Sequence, residues 1–163
     1  MITQSNLKEL VDYVDGKLIA KINSKCRKAG DALSSLTDKG YLRSSVGGKS
    51  YRVHRLVFLY HHGYMPIQVD HIDGNRMNNR IENLRAANRS ENQCNRGALA
   101  NNTSGYPNVS WHKKSKAWLV RVMKDGKTKV NIYVKDLELA GLVALEARSL
   151  YHGKFAQLEG TQP

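Results

Sequence analysis

Residues 68–84 read QVDHIDGNRMNNRIENL, and they hold one histidine, two aspartates, four asparagines and two arginines. Aspartate and asparagine side chains bond their own backbone and so compete with helix and sheet ladders. A run this rich in them must be a long loop, with Asn75, Asn78, Asn79 and the Asp73-Gly74 pair as turn formers. Its flanks are regular. IQVDH, residues 67–71, reads as an extended segment, and Asn88 followed three residues later by Glu91 has the spacing of a capping box that starts a helix carrying Asn92. If strand and helix pack antiparallel, Asp70, His71 and Asn92 converge. Neighbouring strand residues point to opposite faces, so Asp70 and His71 can share a site only where the strand ends, and the following IDG supplies that break.

The rest of the chain alternates short elements. YVDGKLIAKI and GYLRSSVGGKSYRV place β-branched and aromatic residues around Asp-Gly and Gly-Gly, which predicts hairpins. HRLVFLYHHGYMP predicts a short buried helix closed by Gly63 and Pro66, with His61 and His62 on its surface. LANNTSGYPN is polar and aperiodic, so a domain boundary is expected near residue 100. Beyond it NVSWHKK, AWLVRVMK and KVNIYV read as three strands, with KDGK as a tight turn. The last segment carries Leu137, Ala140, Val143, Ala144, Ala147 and Tyr151 at helical spacing, a stripe expected to cover the sheet. Alternation places Val120 and Val122 inward with Trp118, and Arg121 outward.

Composition limits the partner. The 163 residues are 40% hydrophobic with a formal net charge of +12, which favours a polyanion bound through phosphate neutralisation. No apolar run approaches the roughly 20 residues that span a bilayer, and the N-terminus lacks the order of a signal peptide, so work in a cytoplasm without a membrane partner is expected. Cys26 and Cys94 are too far apart for a zinc knuckle or a disulfide framework. Aromatic content of 7% is sparse for a single-strand stacking platform, which argues against RNA. A carboxylate and an amide oxygen form a hard donor set suited to magnesium that keeps its waters. Histidine beside them can take a proton from an attacking water.

VDHIDGNRMNNRIENLRAANRSENQCNR, with HRL and a proline turn upstream, resembles the HNH endonucleases, in particular the phage homing branch. The resemblance implies that His71 is the general base, that Asn83 holds the loop and catalytic strand by hydrogen bonds, and that Asp70 and Asn92 hold one metal, Mg²⁺ or in its place Mn²⁺. It also implies products with 5′-phosphate and 3′-hydroxyl ends. Arg52, Arg55, Arg76, Arg80 and Arg85 are candidate phosphate clamps, and His54 touches a phosphate or packs.

Residues 102–156 resemble an AP2 DNA-binding domain, three antiparallel strands followed by one amphipathic helix, with PNVSW and NIYV departing from the family pattern. The resemblance carries DNA contacts onto Trp111, Lys113, Trp118, Arg121 and Lys129. The expected fold is thus α+β: a ββα-metal HNH core at about 66–97 behind N-terminal β-hairpins in a domain over 1–100, and an AP2-like domain over 101–163. The expected function is metal-dependent cleavage of double-stranded DNA, by a monomer or homodimer. A DNA-binding regulator on an inert nuclease scaffold is the alternative.

Overall fold

The computed structural model describes residues 2–24, 27–98 and 101–156, and Cys26 lies outside them. It is a mixed helix and strand structure, consistent with the expected α+β class. The chain divides into two compact units, residues 1–87 and 88–163. This boundary precedes the one expected near residue 100, and the short helix that follows Asn88 groups with the second unit.

In the first unit, helix α1 (Gln4–Leu10) leads into a hairpin of β1 (Val11–Val14) and β2 (Lys17–Ala20). Its two-residue turn, Asp15-Gly16, has φ of 47° and 82°, positive at both positions as an Asp-Gly hairpin turn requires. A three-stranded antiparallel sheet follows, from β3 (Ser35–Leu36), β4 (Leu42–Val46) and β5 (Lys49–Arg52). Helix α2 (Val53–His62) begins at once and ends at Gly63, whose φ of 79° closes it. Then come β6 (Gln68–His71) and β7 (Leu84–Ala87), paired antiparallel with Asp70 opposite Arg85 and His71 opposite Leu84.

The core of this unit is α2. Val53, Leu56, Val57, Phe58 and Leu59 are buried against Leu7 of α1, Val11, Leu18 and Val46 of the hairpins, and Val69 and Leu84 of the last strand pair. Each such side chain contributes about 1.5–3 kcal/mol when fully buried. That common anchor holds the catalytic strand candidate, β6, in place.

The second unit opens with α3 (Arg89–Cys94), started by a complete capping box: Glu91 N–H donates to the Asn88 side chain at 2.9 Å, and Asn88 N–H donates to the Glu91 carboxylate at 2.7 Å. Strands β8 (Val109–His112), β9 (Ala117–Lys124) and β10 (Lys127–Val134) form an antiparallel sheet in the order β10-β9-β8, with Asp125-Gly126 as its tight turn. Helix α4 (Leu137–His152) buries Ala140 and Ala144 against Val109 and Val120, with Val143 and Leu137 packed beside them. Gly141 lies mid-helix because a Cβ there would meet the Tyr106 ring at 2.6 Å. Gly141→Ala is therefore expected to destabilise this unit by about 1–3 kcal/mol despite alanine's better helix propensity, since overpacking outweighs it. Chemical denaturation checks this, and a more stable variant would contradict the packing.

Candidate active site

His71 ends β6 and is 5% exposed. Its Nε2 lies 3.0 Å from Oδ1 of Asn79, and the Asn79 amide donates to the Met77 carbonyl at 3.3 Å, which fixes the amide's orientation. Nε2 therefore donates, and the lone pair of the neutral ring sits on Nδ1. Burial pushes the imidazole below its ordinary value, against the upward pull of the Asn79 bond and the Asp73 and Asp70 charges. A neutral, oriented imidazole is the form a general base needs.

The loop that supplies Asn79 is built from its own polar side chains. Asn83 donates to the Asp73 carboxylate at 2.9 Å and to the Asn78 carbonyl at 2.8 Å, and its side-chain oxygen accepts the Asp73 N–H at 3.0 Å. Burial raises the Asp73 pKa, but hydrogen bonds from Asn78, Asn83 and the Asn75 backbone outweigh it and hold the carboxyl below its usual value. The first hairpin supports the loop from outside. Arg80 pairs with Asp15 at 2.8 Å, Ile81 N–H donates to the Tyr13 hydroxyl at 3.0 Å, and a Cβ on Gly16 would press on the Arg80 backbone nitrogen at 3.0 Å.

Asp70 and His71 are adjacent on β6 but face different groups. The Asp70 carboxylate, 5% exposed, accepts from both Nε and Nη2 of Arg85 through the same oxygen, at 2.8 and 2.7 Å. Arg85 thus sits on its cross-strand partner. His54 on α2 is 3% exposed, and its ring lies edge-on to His71 with centroids 4.9 Å apart. Burial, then the charges of His71, Arg52 and Arg55, lowers it to about 3, so it stays neutral and packs. Arg55 donates to the Pro66 and Ile67 carbonyls, both at 3.1 Å, and so clamps the turn before β6. Arg52 and Arg76 instead lie over the ring of Tyr41. Among the described residues no group of three or more His, Cys, Asp or Glu could hold a metal ion. Asn92 is half-buried on α3 in the second unit.

Trp111, 45% exposed, meets Trp118 edge-on with ring centroids 5.0 Å apart. Trp118 packs on the core while Arg121 stays exposed, as alternation predicts. Trp111, Lys113 and Arg121 line one cleft of about 890 Å³ together with Arg96, Lys124 and Arg148. Lys129 stands apart, at the bulge of β10 between Thr128 and Val130. Sequence reasoning missed Asn79, which carries no signal beyond its turn propensity, and Tyr41, which reaches His71 only through the tertiary fold.

The HNH endonuclease family matches residues 51–94, the segment from β5 through α3. Protein 3.8 of Escherichia phage T7 is 39% identical over 90 residues, 55% of this chain and 73% of that protein. The chain belongs to the same family as phage T7 protein 3.8 and carries an HNH endonuclease domain. The SPbeta prophage-derived putative HNH homing endonuclease YosQ of Bacillus subtilis (strain 168) is 37% identical over 79 residues, 47% of this chain and 46% of its own length. The match thus spans about half of that second relative. No solved structure matches the chain. No helix among the described residues is long and apolar enough to cross a membrane. The HNH endonuclease domain supports a nuclease, and His71, Asn79 and Asn83 lie inside the matched segment.

Proposed function

We propose that the chain is a metal-dependent endonuclease that hydrolyses phosphodiester bonds of double-stranded DNA, of the homing type. The observation that carries this reading is His71: a buried, neutral imidazole within an HNH domain, oriented by Asn79 so that Nδ1 has the lone pair. Nδ1 takes a proton from the water that attacks the scissile phosphorus. Asn79 Oδ1 accepts a hydrogen bond from Nε2–H throughout, which holds the tautomer and favours the imidazolium that forms. Asn83 and Asp73 keep the loop closed, and His54 limits rotation of the His71 ring by packing against its face.

A hydrated magnesium fits the donor chemistry. Asp70 offers a buried carboxylate already held in one orientation by Arg85. Asp70 would hold a Mg²⁺ ion that keeps most of its waters, which leaves room beside the carboxylate for a phosphate oxygen. The ion would supply charge stabilisation at the phosphate and at the 3′-oxygen leaving group. The second unit, with its basic cleft and three-stranded sheet, serves in this reading as an AP2-like DNA reader.

Supercoiled plasmid incubated with the protein, with and without Mg²⁺, tests the proposal. Nicked or linear DNA is expected with Mg²⁺ and neither in EDTA. Unchanged plasmid under both conditions favours a DNA-binding regulator on an inert scaffold. Asp70→Ala is expected to raise the Mg²⁺ concentration for half-maximal rate by about tenfold or more, because it removes the carboxylate from the site. An unaltered metal titration would remove Asp70 from the ligand set.

A further inference from the structure

Three arginines of the first unit are linked by the β4–β5 register and by the ring of Tyr41. Arg43 and Arg52 are directly opposed across β4 and β5, a like-charge pairing that costs stability in a sheet. The guanidinium carbon of Arg52 lies 4.4 Å from the centroid of the Tyr41 ring, and that of Arg76 lies 4.9 Å from the same centroid. Among the described residues none of the three forms an ion pair. Tyr41 itself is firmly placed: Thr37 N–H donates to its carbonyl at 2.8 Å, and its own N–H donates to the Thr37 hydroxyl at 3.1 Å. The same turn accepts Arg76 through the Lys39 carbonyl at 2.9 Å. The Tyr41 ring is 6.2 Å from the ring of His71.

We infer that Tyr41 is a positioning residue, which aligns Arg52 and Arg76 on one DNA phosphate beside His71. This inference rests on the nuclease reading above. The two guanidinium carbons can be no farther apart than the sum of their distances to the ring centroid. One phosphate that accepts from a guanidinium on each side, through charge-assisted N–H···O bonds about 2.7–2.9 Å long, bridges separations that fall within this upper bound. An aromatic face holds a guanidinium without neutralising it, so both cations keep their charge for the anion. The phosphate would in turn relieve the opposition of Arg43 and Arg52. By sequence alone the arginines are separate clamps, whereas the geometry joins two of them through a tyrosine of the β3–β4 turn.

The full chain is tested with a 30-bp duplex in EDTA, by affinity across a salt series, and with supercoiled plasmid in Mg²⁺ under single-turnover conditions. Tyr41→Ala is expected to lower the salt slope of duplex binding by about one unit, the signature of one lost phosphate contact. It should also raise the DNA concentration for half-maximal cleavage by about tenfold. Tyr41→Phe, which keeps the ring, should recover most of that loss. Arg52→Gln and Arg76→Gln supply a second route that does not depend on the folding of the tyrosine variant. If both hold one phosphate, the double variant loses little more than either single one, a coupling that independent sites do not show. An unchanged salt slope in Tyr41→Ala, no recovery in Tyr41→Phe, or additive losses at the two arginines overturns the inference. Wild-type protein that leaves plasmid intact would sink the nuclease reading instead, and the salt series would still decide whether Tyr41 sets a phosphate contact.

Discussion

Replacing His71 by alanine is expected to lower the single-turnover cleavage rate by about 10²–10⁴-fold, the usual cost of losing a general base, while duplex affinity in EDTA stays nearly unchanged. The second half of this expectation follows from burial. At 5% exposure the imidazole offers little surface to a phosphate backbone, so its loss should be felt in proton transfer and not in binding. Asn79→Ala should give a smaller loss of the same kind. Without the Asn79 oxygen the ring is free to adopt the other tautomer, which places the proton on Nδ1 and the lone pair on the wrong side. The ordering His71→Ala below Asn79→Ala below wild type, at saturating DNA, is the measurement. Undiminished cleavage by His71→Ala would remove the imidazole from the mechanism. A loss at Asn79 that appears only in DNA affinity would mean that its bond to His71 has no part in the chemistry.

The site was partly legible because its order along the chain is encoded locally. A strand that ends at His71 and a helix capped by Asn88 follow from spacing and turn chemistry, and the loop that closes on Asn83 is what the family resemblance implies. The partners of those residues do not. Asn79 looks like any turn asparagine, and only the folded loop buries it against His71. Arg85 looks like a surface cation until β7 is recognised, because only the β6–β7 register sets it opposite Asp70. That strand escaped sequence reading for a physical reason: Leu84, Arg85, Ala86 and Ala87 are good helix formers, and pairing with β6 overrides their propensity. In the same way α1 has only seven residues, too few to show a periodic stripe, and it is held by burial of Leu7.

Elsewhere the local signals and the fold agree. Asp15-Gly16 and Asp125-Gly126 turn as expected, and Gly63 closes α2. In α4 the predicted stripe is the packed one: Ala140, Ala144 and Ala147 are buried, and Leu137, Val143 and Tyr151 are half-buried. The charged members of that helix were less readable. Nothing in the pattern of α4 distinguishes Arg148 from an exposed arginine, yet it is 2% exposed.

Arg148 carries the second large prediction. Its guanidinium donates to the Asn108 side chain at 2.7 Å and to the carbonyls of Arg96 and Cys94 at 3.3 and 3.4 Å, so one buried cation ties α4 to the sheet and to the C-terminal end of α3. Burial lowers its pKa, and these oxygen acceptors offset the cost of keeping the charge out of water. Arg148→Ala leaves those acceptors without their donor. At about 1.5–3 kcal/mol for a hydrogen bond to a charged group, a loss of about 3–5 kcal/mol in the stability of the second unit is expected. Arg148→Lys should recover only part of it, because an ammonium lacks the planar fork that serves separated acceptors. Differential scanning calorimetry of the full chain reads the result, and unchanged melting would show that the network contributes nothing. Arg148 also braces α3, which carries Asn92. If Asn92 binds the metal, Arg148→Ala should also raise the Mg²⁺ requirement for cleavage. Truncation near Ala98 should then do more harm than the loss of a DNA reader, since it removes Arg148, Asn108 and the Asp125 N–H that donates to Ser90 at 3.0 Å, all of which hold that helix. A truncated chain that cleaves plasmid at the wild-type metal concentration would show that α3 needs none of them.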